Sequence, residues 1–192
     1  MTDLVLATRN PHKVREFGRL LKPHRVLRLP EDVVLPPEEG RTFAENARPK
    51  ARMAATATGM VAIADDSGIE AEALGGAPGL YSARYAGPHA TDEENLAKLR
   101  IEVPAGSGLA YVCVIAYVDP ETGEERSFEG RCTGRMAEQT RGAGGFGYDP
   151  TFIPDDGDGV RTMAELGDAE KDAISHRGRA ARALLEWLAS AG

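Results

Sequence analysis

Cysteine is scarce in this chain, with two in 192 residues, and tryptophan occurs once. Cys113 and Cys132 are not at metal-ligand spacing, which excludes a structural zinc site built from paired cysteines. They read as small buried hydrophobes in a reducing compartment, on strands expected to pair as a hairpin, with a cross-strand disulfide disfavoured. Long apolar runs are also missing. No stretch can span a bilayer, and Met1-Thr2-Asp3-Leu4 does not resemble a signal peptide, so the expectation is a cytoplasmic protein with no membrane partner. Positive charge is in deficit: 23 Lys and Arg against 30 Asp and Glu leave a net charge of −7. That balance argues against non-specific binding to nucleic acid or to an anionic membrane surface, so a polyanionic substrate must be met by local cations. No Gly-Lys-Ser/Thr follows a glycine-rich turn, which excludes a Walker loop. What is present is ordinary globular material, 42% hydrophobic, enough for one domain over residues 1–192 with two lobes.

The most informative segment is Ala64-Asp65-Asp66-Ser67-Gly68. The apolar run Val61-Ala62-Ile63-Ala64 reads as a buried strand that ends in two carboxylates, which must find a cation, hydrogen-bond donors or water. A magnesium ion suits them, because it takes one or two carboxylates together with phosphate oxygens. An Asx turn ahead of Gly68 explains the same residues without any ligand. Beyond it, Ile69-Glu70-Ala71-Glu72-Ala73 alternates like a separate half-exposed strand.

At the N-terminus, Leu4-Val5-Leu6-Ala7 reads as a buried strand, and Val14, Phe17 and Leu21 follow at helical spacing. Asn10 is a good N-cap and Pro11 suits the first helical position. The Thr8–Lys13 turn therefore offers backbone N–H groups to an anion, with the Lys13 ammonium leaning back to the same spot. A capped helix with a solvated lysine fits the pattern equally well. A second helix opens with Thr42-Phe43-Ala44-Glu45 and stops at Gly59, with Asn46 and Lys50 on one face and Pro49 predicting a bend or a break. Glu38-Glu39-Gly40 lies in the loop before it. A third helix is capped by Thr91-Asp92-Glu93-Glu94.

Leu109 to Val118 is apolar on both faces and is expected to form a central hairpin with a strand near Ser127–Met136. Gly142 to Pro150 is too glycine-rich to pack itself; it carries Phe146, which is either a stacking face for a base or a core plug, and Asp149. Asp155-Asp156-Gly157-Asp158-Gly159 lacks the ligand order of a calcium loop and reads as a solvated turn. Ser175-His176-Arg177 opens a last helix whose stripe is Ala180, Leu184, Trp187 and Leu188.

Six blocks in order, Thr8-x-Asn10-x-x-Lys13-x-x-Glu16, Thr42-Phe43-x-Glu45-Asn46-Ala47-x-x-Lys50-Ala51, Asp65-Asp66-Ser67-Gly68, Gly75-Gly76-x-Pro78-Gly79-x-Tyr81-Ser82-Ala83-Arg84, Gly144 to Pro150 and Ser175-His176-Arg177, together resemble the inosine/xanthosine triphosphate pyrophosphatase family, the RdgB-like nucleotide hydrolases. The resemblance covers nearly the whole chain, with Pro49 as a departure. It implies an α/β fold, an elongated mixed β-sheet flanked by helices, with two lobes and a central active-site cleft, paired as a homodimer. It implies magnesium-dependent cleavage of ITP, dITP or XTP to the monophosphate and pyrophosphate. By the same resemblance, Thr8, Arg9, Asn10, Pro11, His12 and Lys13 hold phosphates, Lys50 adds charge and Ser67 contacts substrate. Glu39, or alternatively Glu38, holds the metal with Asp66, which is also the catalytic base. Phe146 stacks on the purine, and Gly147, Tyr148, Asp149, Lys171, His176 and Arg177 surround it. A nucleotide-binding sensor without turnover, and a Maf-like pyrophosphatase acting on modified pyrimidine nucleotides, are the alternatives. Retention of Asp65, Asp66 and the loop glutamates argues against the first, and the Ser-His-Arg and Phe-Gly-Tyr-Asp blocks against the second.

Overall fold

The computed structural model describes residues 1–191. Along the chain run β1 (Asp3–Leu6), α1 (Pro11–Leu20), β2 (Arg25–Arg28), α2 (Phe43–Thr58), β3 (Ala62–Ala71), α3 (Asp92–Glu102), β4 (Gly108–Val118), β5 (Glu125–Met136), β6 (Phe152–Pro154), α4 (Asp168–Ile174) and α5 (His176–Ala191). The six strands form one sheet in the order β2-β1-β3-β4-β5-β6. Strand β1 is parallel to both β2 and β3, whereas β5 and β6 are antiparallel. The mixed sheet with helices is the expected α/β architecture. Among the described residues, no helix is long and apolar enough to cross a membrane.

The described chain divides into two compact units, residues 1–66, 113–130 and 177–191 in the first, and residues 67–112 and 131–176 in the second. In the first unit, the period of two along a strand sorts side chains onto two sheet faces. Leu4, Leu6, Ile63, Cys113, Ile115 and Tyr117 pack with Phe17 and Leu21 of the α1 segment and with Ala180, Ala181 and Leu184 of α5. The alternate residues Val5, Ala7, Ala62, Ala64, Ala116 and Val118 pack with Ala47, Ala51, Ala54 and Ala55 of α2. Alanine on that helix face lets α2 lie close to the strands. The second unit has one core, in which Ile69, Leu99, Tyr111, Cys132, Tyr148, Phe152 and Met163 meet.

Several expectations change here. The acid pair does not sit at a strand end: β3 runs unbroken through Asp65, Asp66, Ser67 and Gly68 as far as Ala71. Gly68 makes no turn; a Cβ there would lie 2.2 Å from the carbonyl oxygen of Gly79, so the glycine allows close approach by the Gly79–Arg84 turn. Pro49 does not break α2, which continues to Thr58. The carbonyl that Pro49 leaves without its helical donor is that of Glu45, an exposed residue, so water can serve it while the buried face keeps its ladder. Helix α3 has the full capping box between Thr91 and Glu94. At α2, by contrast, Thr42 accepts from the Glu45 amide while the Glu45 carboxylate reaches the amide of Arg41. Both cysteines are buried thiols, not joined in a disulfide.

Candidate active site

Each unit carries a cluster of buried, charged side chains. In the first unit, the alternation of β3 sends Asp65 to the face of α1 and α5 and Asp66 to the face of α2. Asp65 is buried, and its Oδ2 lies 2.9 Å from Lys13 Nζ and 3.3 Å from the Arg177 guanidinium. Arg177, only 2% exposed, also lies 2.5 Å from the Glu16 carboxylate. Lys13 and Glu16 are three apart on α1 and so share the face that meets Asp65 and Arg177. Burial by itself would raise the Asp65 pKa, but the charges of Lys13, Arg177 and Lys50 outweigh it and hold the carboxyl far below the ordinary range. Asp65 is therefore a permanent anion at the centre of an ion-pair network.

Asp66 has a different environment. Its Oδ2 accepts from Asn46 Nδ2 at 2.9 Å, and Lys50 Nζ bonds Glu38 Oε1 at 2.6 Å and the Asp65 carbonyl at 2.9 Å. Burial raises the Asp66 pKa above the ordinary carboxylate value; Lys50 opposes the shift and the Glu38 charge adds to it. Two neighbouring carboxyls pushed in opposite directions are the usual sign of different roles. Lys50 itself stays charged, because Asp65, Glu38 and Asp66 outweigh the burial that would lower its pKa.

The loop before α2 separates its two glutamates. Glu38 is half-buried against Lys50, whereas Glu39 is exposed. Among the described residues, no group of three or more His, Cys, Asp or Glu is arranged to hold a metal. The donor set that does fit a hard cation is Asp66 with Glu38, two oxygen ligands whose mutual repulsion raises Asp66 and would be relieved by a dication. The remaining positions of a magnesium ion are normally filled by water and phosphate oxygens, so two carboxylates suffice.

The Thr8–Lys13 turn is built as expected, with a difference in its donors. Asn10 caps α1, and its Oδ1 accepts from the amides of His12 at 2.8 Å and Lys13 at 3.4 Å. Pro11 has no N–H. The first-turn amides that an anion would use are already held by the cap, which leaves the Lys13 side chain as the turn's charged contribution. Thr8 Oγ1 accepts from the Asn10 amide. The His12 ring meets the Arg15 guanidinium. Arg9 turns away to backbone carbonyls of Leu29, Pro30, Glu31 and Val33. Ser67, next to Asp66, is half-buried.

In the second unit, Asp149 is the hub. Its Oδ2 is 2.7 Å from Lys171 Nζ and accepts from the Phe146 amide at 2.9 Å, while Oδ1 accepts from the Tyr111 hydroxyl at 3.1 Å. Gly145 has φ +71°, and a Cβ on it would fall 2.0 Å from that carboxylate, so the glycine is needed for the loop to close over Asp149. The Tyr111 ring stacks on His176 with centroids 4.5 Å apart and planes at 7°. Lys171 Nζ also lies 5.4 Å from the centre of the Phe146 ring. Tyr148 is a core plug, its hydroxyl bonded to the Ser82 carbonyl, whereas Phe146 is half-buried. The Gly147 amide donates to Asp92. Phe146, Asp149, Lys171 and His176 are thus gathered in the second unit, while Arg177 belongs to the first. Tyr111 was not singled out from the sequence; its signal, a hydroxyl inside the apolar run of β4, is one that Tyr117 shares.

Comparison with known proteins agrees across the chain. Residues 4–187 match the model of the Ham1 family. A dITP/XTP pyrophosphatase of Yersinia pestis is 48% identical over 200 residues, covering 100% of both chains. One from Symbiobacterium thermophilum is 49% identical, covering 96% of this chain and 94% of its own. Among solved structures, a HAM1 protein from Coxiella burnetii superposes with a TM-score of 0.86 at 40% identity, covering 99% of this chain and 100% of that one. A nucleoside-triphosphatase / dITP/XTP pyrophosphatase from Mycobacterium abscessus gives 0.70 at 44% identity, over 95% and 98%.

Proposed function

The chain belongs to the Ham1 family, and from that premise we propose that it hydrolyses non-canonical purine nucleoside triphosphates, ITP, dITP and XTP, to the nucleoside monophosphate and pyrophosphate. The observation that carries the reading is the divergence of Asp65 and Asp66. One acid is locked as an anion among Lys13, Arg177 and Glu16, and the other is a buried carboxyl of raised pKa, suited to accept a proton.

In the reaction a water oxygen bonds the α-phosphorus, the bond from that phosphorus to the β-bridging oxygen breaks, and Asp66 takes the water proton. Lys13 and Lys50 offset charge on the phosphates, so no covalent nucleophile is required. Asp65 does not titrate in the working range; it fixes the Lys13 ammonium. Glu38 and Asp66 would hold magnesium, which would supply Lewis-acid polarisation of the phosphate oxygens when bound. Glu38 takes the place given first to Glu39, because it is the glutamate beside Lys50 and near Asp66.

Base recognition is assigned to the second unit, with Phe146 as the stacking ring and Lys171, His176 and the Asp149 carboxylate as the polar set. Arg177, expected at the base edge, is instead assigned to hold Asp65, since its guanidinium lies between Asp65 and Glu16. A homodimer and a cytoplasmic location complete the reading; the homodimer rests on the family resemblance, and two buried thiols suit a reducing compartment. The test is pyrophosphate release from ITP, dITP, XTP, GTP, ATP and modified pyrimidine triphosphates, with and without magnesium. Release confined to the oxidised or deaminated purines and dependent on magnesium is expected. A preference for pyrimidines, or tight binding without release, overturns the proposal.

A further inference from the structure

Arg9 lies in the turn expected to hold phosphate, yet its guanidinium faces a ring of carbonyl oxygens. Nη1 donates to Leu29 at 3.0 Å, and Nη2 lies 2.8 Å from Pro30, 3.2 Å from Glu31 and 2.7 Å from Val33. The side chain is exposed, so burial does not force this arrangement. Four carbonyl dipoles converging on one cation make a site for a guanidinium fork and an unfavourable one for an anion. The segment so gripped begins the loop that ends at Gly40 and carries Glu38. At its far end the Gly40 amide donates to Asn46 Oδ1 at 2.7 Å, and Asn46 holds Asp66 through its other atom at 2.9 Å. A Cβ at Gly40 would sit 2.7 Å from that same Asn46 oxygen, so the loop end is drawn in as far as glycine allows.

We infer that Arg9 is a positioning residue, a strap that fixes the start of the 29–40 loop and thereby sets Glu38 beside Lys50 and Asp66. This rests on the assignment of Glu38 to the metal. Without the strap, the proline-rich loop loses its anchor at the Leu29–Val33 end and keeps the contacts of its far end, Gly40 with Asn46 and Glu38 with Lys50, so the Glu38 carboxylate has a wider range of positions. A lysine cannot replace the strap, because one ammonium has neither the reach nor the planar fork to serve four carbonyls.

The experiment compares wild type, Arg9→Ala and Arg9→Lys in three measurements: hydrogen exchange over residues 29–40, Mn²⁺ binding followed by electron paramagnetic resonance, and KM for ITP at saturating magnesium. Both variants are expected to exchange faster over 29–40 and to bind Mn²⁺ about tenfold more weakly, the scale of losing a group that orients a metal ligand. KM at saturating magnesium should move less than about twofold, because orientation of a metal ligand, not phosphate contact, is lost. Unchanged exchange over 29–40 in Arg9→Ala overturns the inference. So does full rescue by Arg9→Lys with a raised KM in Arg9→Ala, since that is the signature of a charge touching the triphosphate. Exchange and Mn²⁺ binding need no nucleotide, so a wild type that fails to release pyrophosphate refutes the proposed function and leaves the strap to be judged by those two measurements.

Discussion

Asp65 and Asp66 are adjacent in sequence but leave β3 on opposite faces of the sheet, so each meets a different set of helices. Asp65 meets Lys13 of α1 and Arg177 of α5, and Asp66 meets Asn46 of α2. Strand periodicity alone separates a structural anion from a candidate base.

The two acids should therefore respond oppositely to amide substitution. Asp66→Asn is expected to lower turnover by about 10²–10⁴-fold, the range typical of a general base. Its stability should be unchanged or higher, since the folded state raises the pKa of Asp66 and so disfavours its charge at neutral pH. Asp65→Asn should destabilise by about 1–3 kcal/mol, because Lys13 loses its carboxylate while buried Arg177 keeps Glu16. Urea unfolding and initial rates on both variants check this. If Asp65→Asn is the more active but equally stable protein, the two roles are not separated.

The pH dependence of the Asp65 effect has a definite sign. Its folded pKa is depressed, so its contribution is complete above the ordinary carboxylate value of about 4 and is lost as pH falls towards the folded pKa. The stability gap between wild type and Asp65→Asn should be constant from about pH 6 to 8 and should narrow below about pH 4. A gap that widens in acid would contradict the ion-pair assignment.

Lys13→Ala should reduce both nucleotide affinity and stability. A solvated lysine would affect neither, but Lys13 is 2.9 Å from Asp65 with its side chain 15% exposed. Asp65 keeps Arg177 in the variant, so the stability loss should be below that of a fully broken buried pair, about 1–3 kcal/mol. KM for ITP should rise in the same protein. A thermal melt and a nucleotide titration give both numbers, and a change in neither would return Lys13 to a solvent role.

How far the sequence carried the fold and the site differs by element. Apolar alternation and capping residues announced β1, α1, α2 and α3 because those signals are local. The course of β3 through Asp65 and Gly68 was hidden, since Asp-Asp-Ser-Gly has turn composition and the reason for Gly68 is a contact with Gly79, eleven residues on. Glu38 and Glu39 are indistinguishable as letters; only the position of Lys50 separates them. Tyr111 and Asp149 meet across 38 residues, which no spacing rule anticipates.

Tyr111→Phe probes that contact, because phenylalanine keeps the stack on His176 and loses the hydroxyl bond to Asp149. The stability cost should be about 1 kcal/mol. The ratio of kcat/KM for ITP over ATP should change while the magnesium concentration for half-maximal activity stays fixed, since Asp149 is proposed as part of the base-recognition set and not as a metal ligand. An unaltered ratio would make the hydroxyl an ordinary satisfied core group.

The pairing of Arg177 with Glu16 separates a buried ion-pair hub from a solvent-facing base reader. Removing an exposed arginine usually changes stability by under about 0.5 kcal/mol. Arg177 is 2% exposed, and Arg177→Ala takes the guanidinium from buried Glu16 and leaves Asp65 to Lys13. The expected loss is about 3–5 kcal/mol, enough to consume a large share of the stability of a domain this size. Because such a loss mixes pairing with lost packing, a double-mutant cycle with Glu16→Gln and Arg177→Lys is the more telling measurement. Glutamine keeps the shape of Glu16 without its charge, and lysine keeps the charge of Arg177 without its fork. The two changes should couple by about 0.5–3 kcal/mol in urea unfolding, as residues in one network do. Coupling near zero, together with a loss under about 1 kcal/mol in Arg177→Ala, would mean that the guanidinium is not held by Glu16 in solution, and the assignment of Arg177 to Asp65 would fall with it.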